Sequence, residues 1–160
     1  DIIQIGGETG KSKLLGRALE RLELYEDGTA VIADVPTNVT SVKIPTYLEY
    51  NGQQYKVTEI SSKAFYNCKV LKTVTISSSA KLTNIGNQSF AKCVKLTAIT
   101  LPKKFTSLGT QAFLNCKALK KITVKSTVLS SVGKNDMKFF KHYLEERKSK
   151  VEEISSITRP

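Results

Sequence analysis

Three cysteines are the residues best equipped for chemistry: Cys68, Cys93 and Cys116, spaced 25 and then 23 residues apart. Three thiols can hold a metal, or close one disulfide and leave a single thiol over. A zinc site asks for paired ligands such as C-x2-C, and His142 is the sole histidine of the chain. Each cysteine instead follows a phenylalanine by three residues and precedes a leucine by three, the spacing of a packed core. A buried thiol behaves as a small hydrophobe, so core packing is the favoured reading. A disulfide between neighbouring turns and a metal site are the alternatives.

Acid–base catalysis wants a histidine or paired carboxylates held in a pocket. His142 sits between Lys141 and Tyr143, and Glu145-Glu146 and Glu152-Glu153 lie on the same segment, which reads as a solvated face. No Ser-His-Asp arrangement and no metal set can be placed, so neither an enzyme nor a cofactor is expected. Gly6-Gly7-Glu8-Thr9-Gly10-Lys11-Ser12 approaches a phosphate-binding loop. That loop needs a glycine five positions before Gly10, and Ile5 stands there. Asn38-Val39-Thr40 and Asn87-Gln88-Ser89 fit the N-glycosylation acceptor pattern, which matters only in a eukaryotic source.

Charge is the abnormal bulk property. The 160 residues carry a net charge of +11, while 40% hydrophobic and 24% charged residues are ordinary for a globular protein. Such a chain can favour nucleic acid, anionic membrane or acidic glycans, or can use lysine for solubility alone. Lys69, Lys95 and Lys117 follow the repeat cysteine by one or two residues, and Lys72 and Lys120 follow the next leucine. These five form a candidate basic stripe for an acidic partner, with an acidic glycan as one option. The phenylalanines fall at core positions and are not interleaved with the lysines, so nucleic acid is not expected. No apolar run approaches the ~18 residues of a membrane span. The chain opens Asp1-Ile2-Ile3-Gln4, without the basic start or small-residue cleavage site of a signal peptide, as a mature or trimmed surface protein also would.

The cysteines belong to a pattern, I-x4-F-x2-C-x2-L-x2-V-x-I, that occurs three times. The copies are Ile60-Phe65-Cys68-Leu71-Val74-Ile76, Ile85-Phe90-Cys93-Leu96-Ile99-Leu101 and Leu108-Phe113-Cys116-Leu119-Ile122-Val124. One unit of about 23 residues has an apolar stripe and nothing to bury it against, so the units must stack. Stacking predicts a column of Phe65, Phe90 and Phe113. Each copy ends in the alternation of a half-buried strand, and Val42 and Ile44 fall in register with Val74 and Ile76. The run from Ile to Cys predicts a short helical turn or irregular arc, too brief for a full helix.

Strand alternation sets a candidate binding face. With Val74, Ile99 and Ile122 inward, Thr73, Ala98 and Lys121 point outward, as do Thr75, Thr100 and Thr123. Lys43 precedes that threonine ladder, and Lys125 follows it. Threonine also suits exposed strands for structural reasons alone. The alternative is that this face is the recognition surface.

Leu71-Val74-Ile76 and its counterparts match the first half of the leucine-rich-repeat signature. Gly109-Thr110-Gln111-Ala112-Phe113-Leu114-Asn115-Cys116 and Ala98-Ile99-Thr100-Leu101-Pro102 resemble, more closely, the BspA-type repeat of bacterial cell-surface and secreted proteins, which some parasitic protists share. The resemblance covers about residues 40–135. It implies a mostly-β α/β solenoid, a right-handed leucine-rich-repeat superhelix with one parallel sheet. It also implies an extracellular or cell-surface location and attachment to host or surface proteins, and it brings no catalytic residues. A structural spacer without a ligand of its own is the bland alternative. A monomer that does not insert into membranes is expected.

The rest of the chain divides around that array. Residues 1–21 read as a leader, flexible or with a short helix over Ser12–Glu20. Residues 22–58 read as an N-terminal β cap with hairpins at Asp27-Gly28 and Asn51-Gly52, and they include the first repeat strand. Residues 59–131 are the three repeats. Residues 132–160 read as a degenerate fourth copy and a C-terminal helical cap, with a helix over 136–147 beginning at Asp136.

Overall fold

Alternating apolar and polar residues force strands wherever the repeat needs one wet and one dry face. The computed structural model describes residues 2–6, 11–12, 17–18, 21–126, 128–129 and 131–132. Its strands begin with β1 (Ile2–Gly6), β2 (Lys11–Ser12), β3 (Arg17–Ala18), β4 (Arg21–Tyr25) and β5 (Thr29–Asp34). They continue with β6 (Ser41–Ile44), β7 (Tyr47–Tyr50) and β8 (Gln53–Ile60). The repeats supply β9 (Thr73–Ile76), β10 (Asn84–Ile85), β11 (Ala98–Leu101), β12 (Ser107–Leu108), β13 (Lys121–Val124) and β14 (Ser131–Val132). The result is a mostly-β solenoid of about 4 turns, with no helix among the described residues. The expected helix over 136–147 lies outside them.

The strand ends of the repeats pair in parallel. Val42 and Ile44 of β6 sit opposite Val74 and Ile76 of β9, and Ile99 and Leu101 of β11 sit opposite Ile122 and Val124 of β13. The expectation of one parallel sheet needs correction, because a second ladder runs through the start of each copy. Ile60 pairs with Ile85, Ile85 with Leu108 and Leu108 with Val132. The N-terminal hairpins extend this ladder, since β5 pairs in parallel with β8 and sets Ile32 opposite Ile60. Asp27-Gly28 and Asn51-Gly52 do turn those hairpins. Asn51 and Gly52 have φ of 50° and 74°, the left-handed pair that a tight hairpin requires.

The short helix read over Ser12–Glu20 is also corrected in its described part. Lys11–Ser12 pairs antiparallel with Arg17–Ala18, and Ile2–Gly6 pairs along Arg21–Tyr25. Gly16 lowers helix propensity there, and strand pairing supplies the backbone with partners instead.

Between its two ladders each turn passes through an arc that is neither helical nor irregular. Lys63, Gln88 and Gln111 share left-handed φ values of 55–60°, and Asn67, Lys92 and Asn115 share 58–64°. These residues direct backbone N–H groups along the stack. Phe65 N–H donates to Ser89 O (2.7 Å), Phe90 N–H to Ala112 O (2.8 Å) and Lys92 N–H to Leu114 O (2.7 Å). Inside the arc the phenylalanines stack face to face. Phe65 and Phe90 have ring centroids 4.7 Å apart, and Phe90 and Phe113 5.5 Å, with planes within 9°. A parallel column of Val57, Leu82 and Phe105, with half-buried Leu129 at its end, fills the other side of the core.

Close stacking explains the glycine of the Ile-Gly step. A Cβ on Gly86 would lie 2.6 Å from Ser62 N, and one on Gly109 would lie 2.5 Å from Asn87 N. Both obstacles are backbone, which cannot swing aside. Gly109→Ala is therefore expected to cost about 1–3 kcal/mol. Phe90→Ala, which removes the middle of the column, is expected to cost about 3–5 kcal/mol. Chemical denaturation measures both, and a loss below about 1 kcal/mol in Phe90→Ala would contradict the stacked core.

Candidate functional site

The cysteines come together inside the arc, as the repeat spacing implies. All three are reduced and buried. Each thiol reaches back to the previous turn: Cys93 Sγ to Phe65 O (3.2 Å), Cys116 Sγ to Phe90 O (2.9 Å) and, longer, Cys68 Sγ to Pro36 O (3.9 Å). The same Phe65 and Phe90 carbonyls also accept the amides of Cys68 and Cys93. Cysteine therefore offers a small apolar body and a weak donor to a carbonyl lone pair that would otherwise go unused. The Cys68 side chain, burial and the neighbouring thiols together hold Cys93 far above the ordinary cysteine range. A thiol so placed stays protonated and unreactive. At pH near 8.5, where an ordinary cysteine is half ionised, the native thiols are expected to resist a disulfide-exchange reagent. All three should react once the chain is unfolded. Fast labelling of the native protein would contradict their packing.

Ser89 has a similar duty. Its buried hydroxyl has one proton, shared between Gly86 O (2.7 Å) and Ser61 O (2.9 Å), so the serine of the Asn87-Gln88-Ser89 pattern serves the fold itself. Among the described residues, no group of His, Cys, Asp and Glu is placed to hold a metal ion. No helix among them is long and apolar enough to cross a membrane.

The candidate binding face is assembled by strand register. Lys43 sits opposite Thr75, and Thr100 opposite Thr123. A neighbouring row sets Ser41 opposite Thr73 and Ala98 opposite Lys121. Lys43, Thr73, Thr75, Thr100, Lys121 and Lys125 are exposed, and Thr123 is half-buried. Val42, Val74 and Ile99 anchor three of its strands in the core beneath, and half-buried Ile122 packs against that core from β13.

The basic stripe is less regular than its spacing suggested. Lys72 N–H bonds Thr40 O and Lys120 N–H bonds Thr97 O, so Lys72, Thr97 and Lys120 occupy one row at the strand entrance. Lys69 and Lys117 occupy the row just after the cysteine, with Val94 between them. Lys95 falls one residue out of that row. All five ammonium groups belong to exposed residues.

Two features of the arc surface escape a reading by apolar periodicity. An open polar groove of about 390 Å³ crosses three turns, lined by Ser62, Lys63, Asn87, Gln88, Thr110 and Gln111. Its floor is cross-linked, with Gln88 Nε2 donating to Gln111 Oε1 (2.7 Å) and Thr110 N–H to Asn87 Oδ1 (2.8 Å). Beside it two lysines approach the Tyr66 ring, with Lys63 Nζ 5.5 Å and Lys92 Nζ 5.4 Å from the centroid. The available signal was the recurrence of polar residues two and three positions after Ile60, Ile85 and Leu108, namely Ser62-Lys63, Asn87-Gln88 and Thr110-Gln111.

Residues 35–156 match the model of the BspA type leucine-rich repeat region, in 6 copies. The chain belongs to the BspA-type leucine-rich repeat family. Among solved structures, this BspA-type chain is similar to a leucine-rich repeat protein of T. pallidum. The TM-score is 0.61 and the identity 25%, over 83% of this chain and 55% of that one. The pneumococcal vaccine antigen PcpA shares the fold, with a TM-score of 0.52 and 19% identity over 83% of this chain and 46% of that one. The chain thus spans about half the length of these two proteins. No curated protein matches it.

Proposed function

We propose that this BspA-type chain is a non-enzymatic recognition module that binds another protein through the outward face of β6, β9, β11 and β13. The observation that carries the reading is the run of outward side chains that sets exposed Lys43 opposite exposed Thr75, and exposed Thr100 opposite half-buried Thr123. Rigid strands present these groups without the ordering cost that a loop would incur on binding. Four strands of four residues make a face of roughly 20 by 13 Å. That is well below the ~800 Å² per partner of a standard interface. A protein partner must therefore spread onto the strand entrance, where Lys72 and Lys120 lie, or onto further repeats.

The family membership supports display on a bacterial surface or secretion, with adhesion to host macromolecules as the use of the module. In this reading the solenoid is right-handed, as parallel crossovers are, and the N-terminal hairpins cap its first turn. The experiment is retention of host extracellular proteins on the immobilised chain, repeated with Lys121→Glu and Lys125→Glu together. Loss of at least about tenfold in affinity for a retained protein, with an unchanged melting temperature, is the expected result. Equal binding by the variant would remove the sheet face as the site, and no retained protein at all would favour a spacer.

A further inference from the structure

The sign of the charges is unevenly distributed along the fold. From Ile60 to Val132 the chain has twelve lysines and no aspartate, glutamate or arginine. All 14 acidic residues lie at or before Glu59, or at or beyond Asp136. Every one of those twelve lysines is exposed. Lysine used for solubility is ordinarily interspersed with acids. Here the repeat body has no internal counter-charge.

Stacking then repeats that charge along the axis. Adjacent rungs are about 4.8 Å apart, so Lys72 and Lys120, two rungs apart, recur at roughly 10 Å, and so do Lys69 and Lys117. That spacing is close to the screening length of about 8 Å at physiological salt, so one bound anion only partly shields the next lysine. Around Tyr66 the Lys63 and Lys92 ammonium groups are gathered on one ring. A flexible chain bearing many anions can meet several of these charges at once.

We infer that the repeat body docks a linear acidic polysaccharide, sulfated or carboxylated, along the rows of Lys69, Lys72, Lys117 and Lys120. This surface adjoins the sheet face at Lys72 and Lys120, and the inference does not rest on that face binding a protein. The ligand class follows from what the lysines lack. No large apolar side chain is exposed along the rows of Lys69, Lys72, Lys117 and Lys120, so these rows offer no apolar anchor to a partner. Single-stranded nucleic acid needs open aromatic faces for its bases, and Tyr66 is flanked by lysines while the repeat phenylalanines are buried. The repeat body carries no arginine to grip phosphate bidentately. Densely spaced point charges fit a polymer that is itself little more than spaced anions.

The test uses heparin, hyaluronan and double-stranded DNA as probes of the full chain at about 0.15 M salt and again near 1 M. A triple change of Lys72, Lys117 and Lys120 to Gln is compared with a triple change of Lys81, Lys103 and Lys104 to Gln, which removes the same charge. The expected result is salt-sensitive binding of at least one glycan, weakened at least about tenfold by the first set and less than about threefold by the second. Bound glycan should also shield Lys69, Lys72, Lys117 and Lys120 of the unaltered protein from amine acetylation, which needs no variant. Equal losses in the two triple variants, uniform acetylation, or tighter binding to DNA than to either glycan would overturn the inference.

Discussion

Hydrogen bonding between turns is the constraint on which the architecture rests. A turn of this size leaves its arc amides without partners, and a buried amide left unpaired costs about 1–3 kcal/mol. The arc answers by placing two residues per turn in left-handed conformations, so that amides such as those of Phe65 and Lys92 point at the next turn. For residues other than glycine that conformation itself costs about 1–2 kcal/mol. The lateral bond and the stacked ring beneath it must offset that cost, which neither could do in an isolated unit. The repeat is therefore stable only as a stack.

Once the turns approach this closely, several residue choices cease to be free. Gly86 and Gly109 stand where the backbone of the preceding turn leaves no room for a Cβ. Cysteine fits beside the phenylalanine column because it is small and its thiol can meet a carbonyl of the previous turn. Serine at position 89 pins two carbonyls of the arc. The repeat cysteines and Ser89 are thus committed to holding the stack. The surfaces proposed for binding are made of side chains that point away from it, chiefly threonine and lysine.

Much of this was legible in the sequence because the signals are local or periodic. The Phe65-Phe90-Phe113 column, the core role of the cysteines and the register of Val42 with Val74 follow from fixed offsets. Asp27-Gly28 and Asn51-Gly52 announce their hairpins through the φ values they tolerate. The second parallel ladder was not legible, because Asn84–Ile85 and Ser107–Leu108 are too short to show alternation. The left-handed arc was hidden for a different reason, since Lys63, Gln88 and Lys92 are not residues that advertise positive φ. The Val57-Leu82-Phe105 column was available, three residues before each copy, and is missed by a pattern that starts at Ile60. At the N-terminus, residues 1–21 read as a leader because the pairing of Ile2–Gly6 with Arg21–Tyr25 is a long-range matter that local spacing does not show. For the candidate surfaces, spacing located the exposed lysines correctly but could not show that Lys95 leaves the row of Lys69 and Lys117.

Amide hydrogen exchange of the native chain tests the stacking constraint most directly. The amides of Phe65, Asn67, Phe90 and Lys92 all donate to the next turn. They should exchange only as slowly as those of Val74 and Ile99 in the strands, through unfolding of the whole stack. Exchange of the arc amides at the rate of an open loop, with the strands still protected, would show that the turns are not joined through their arcs.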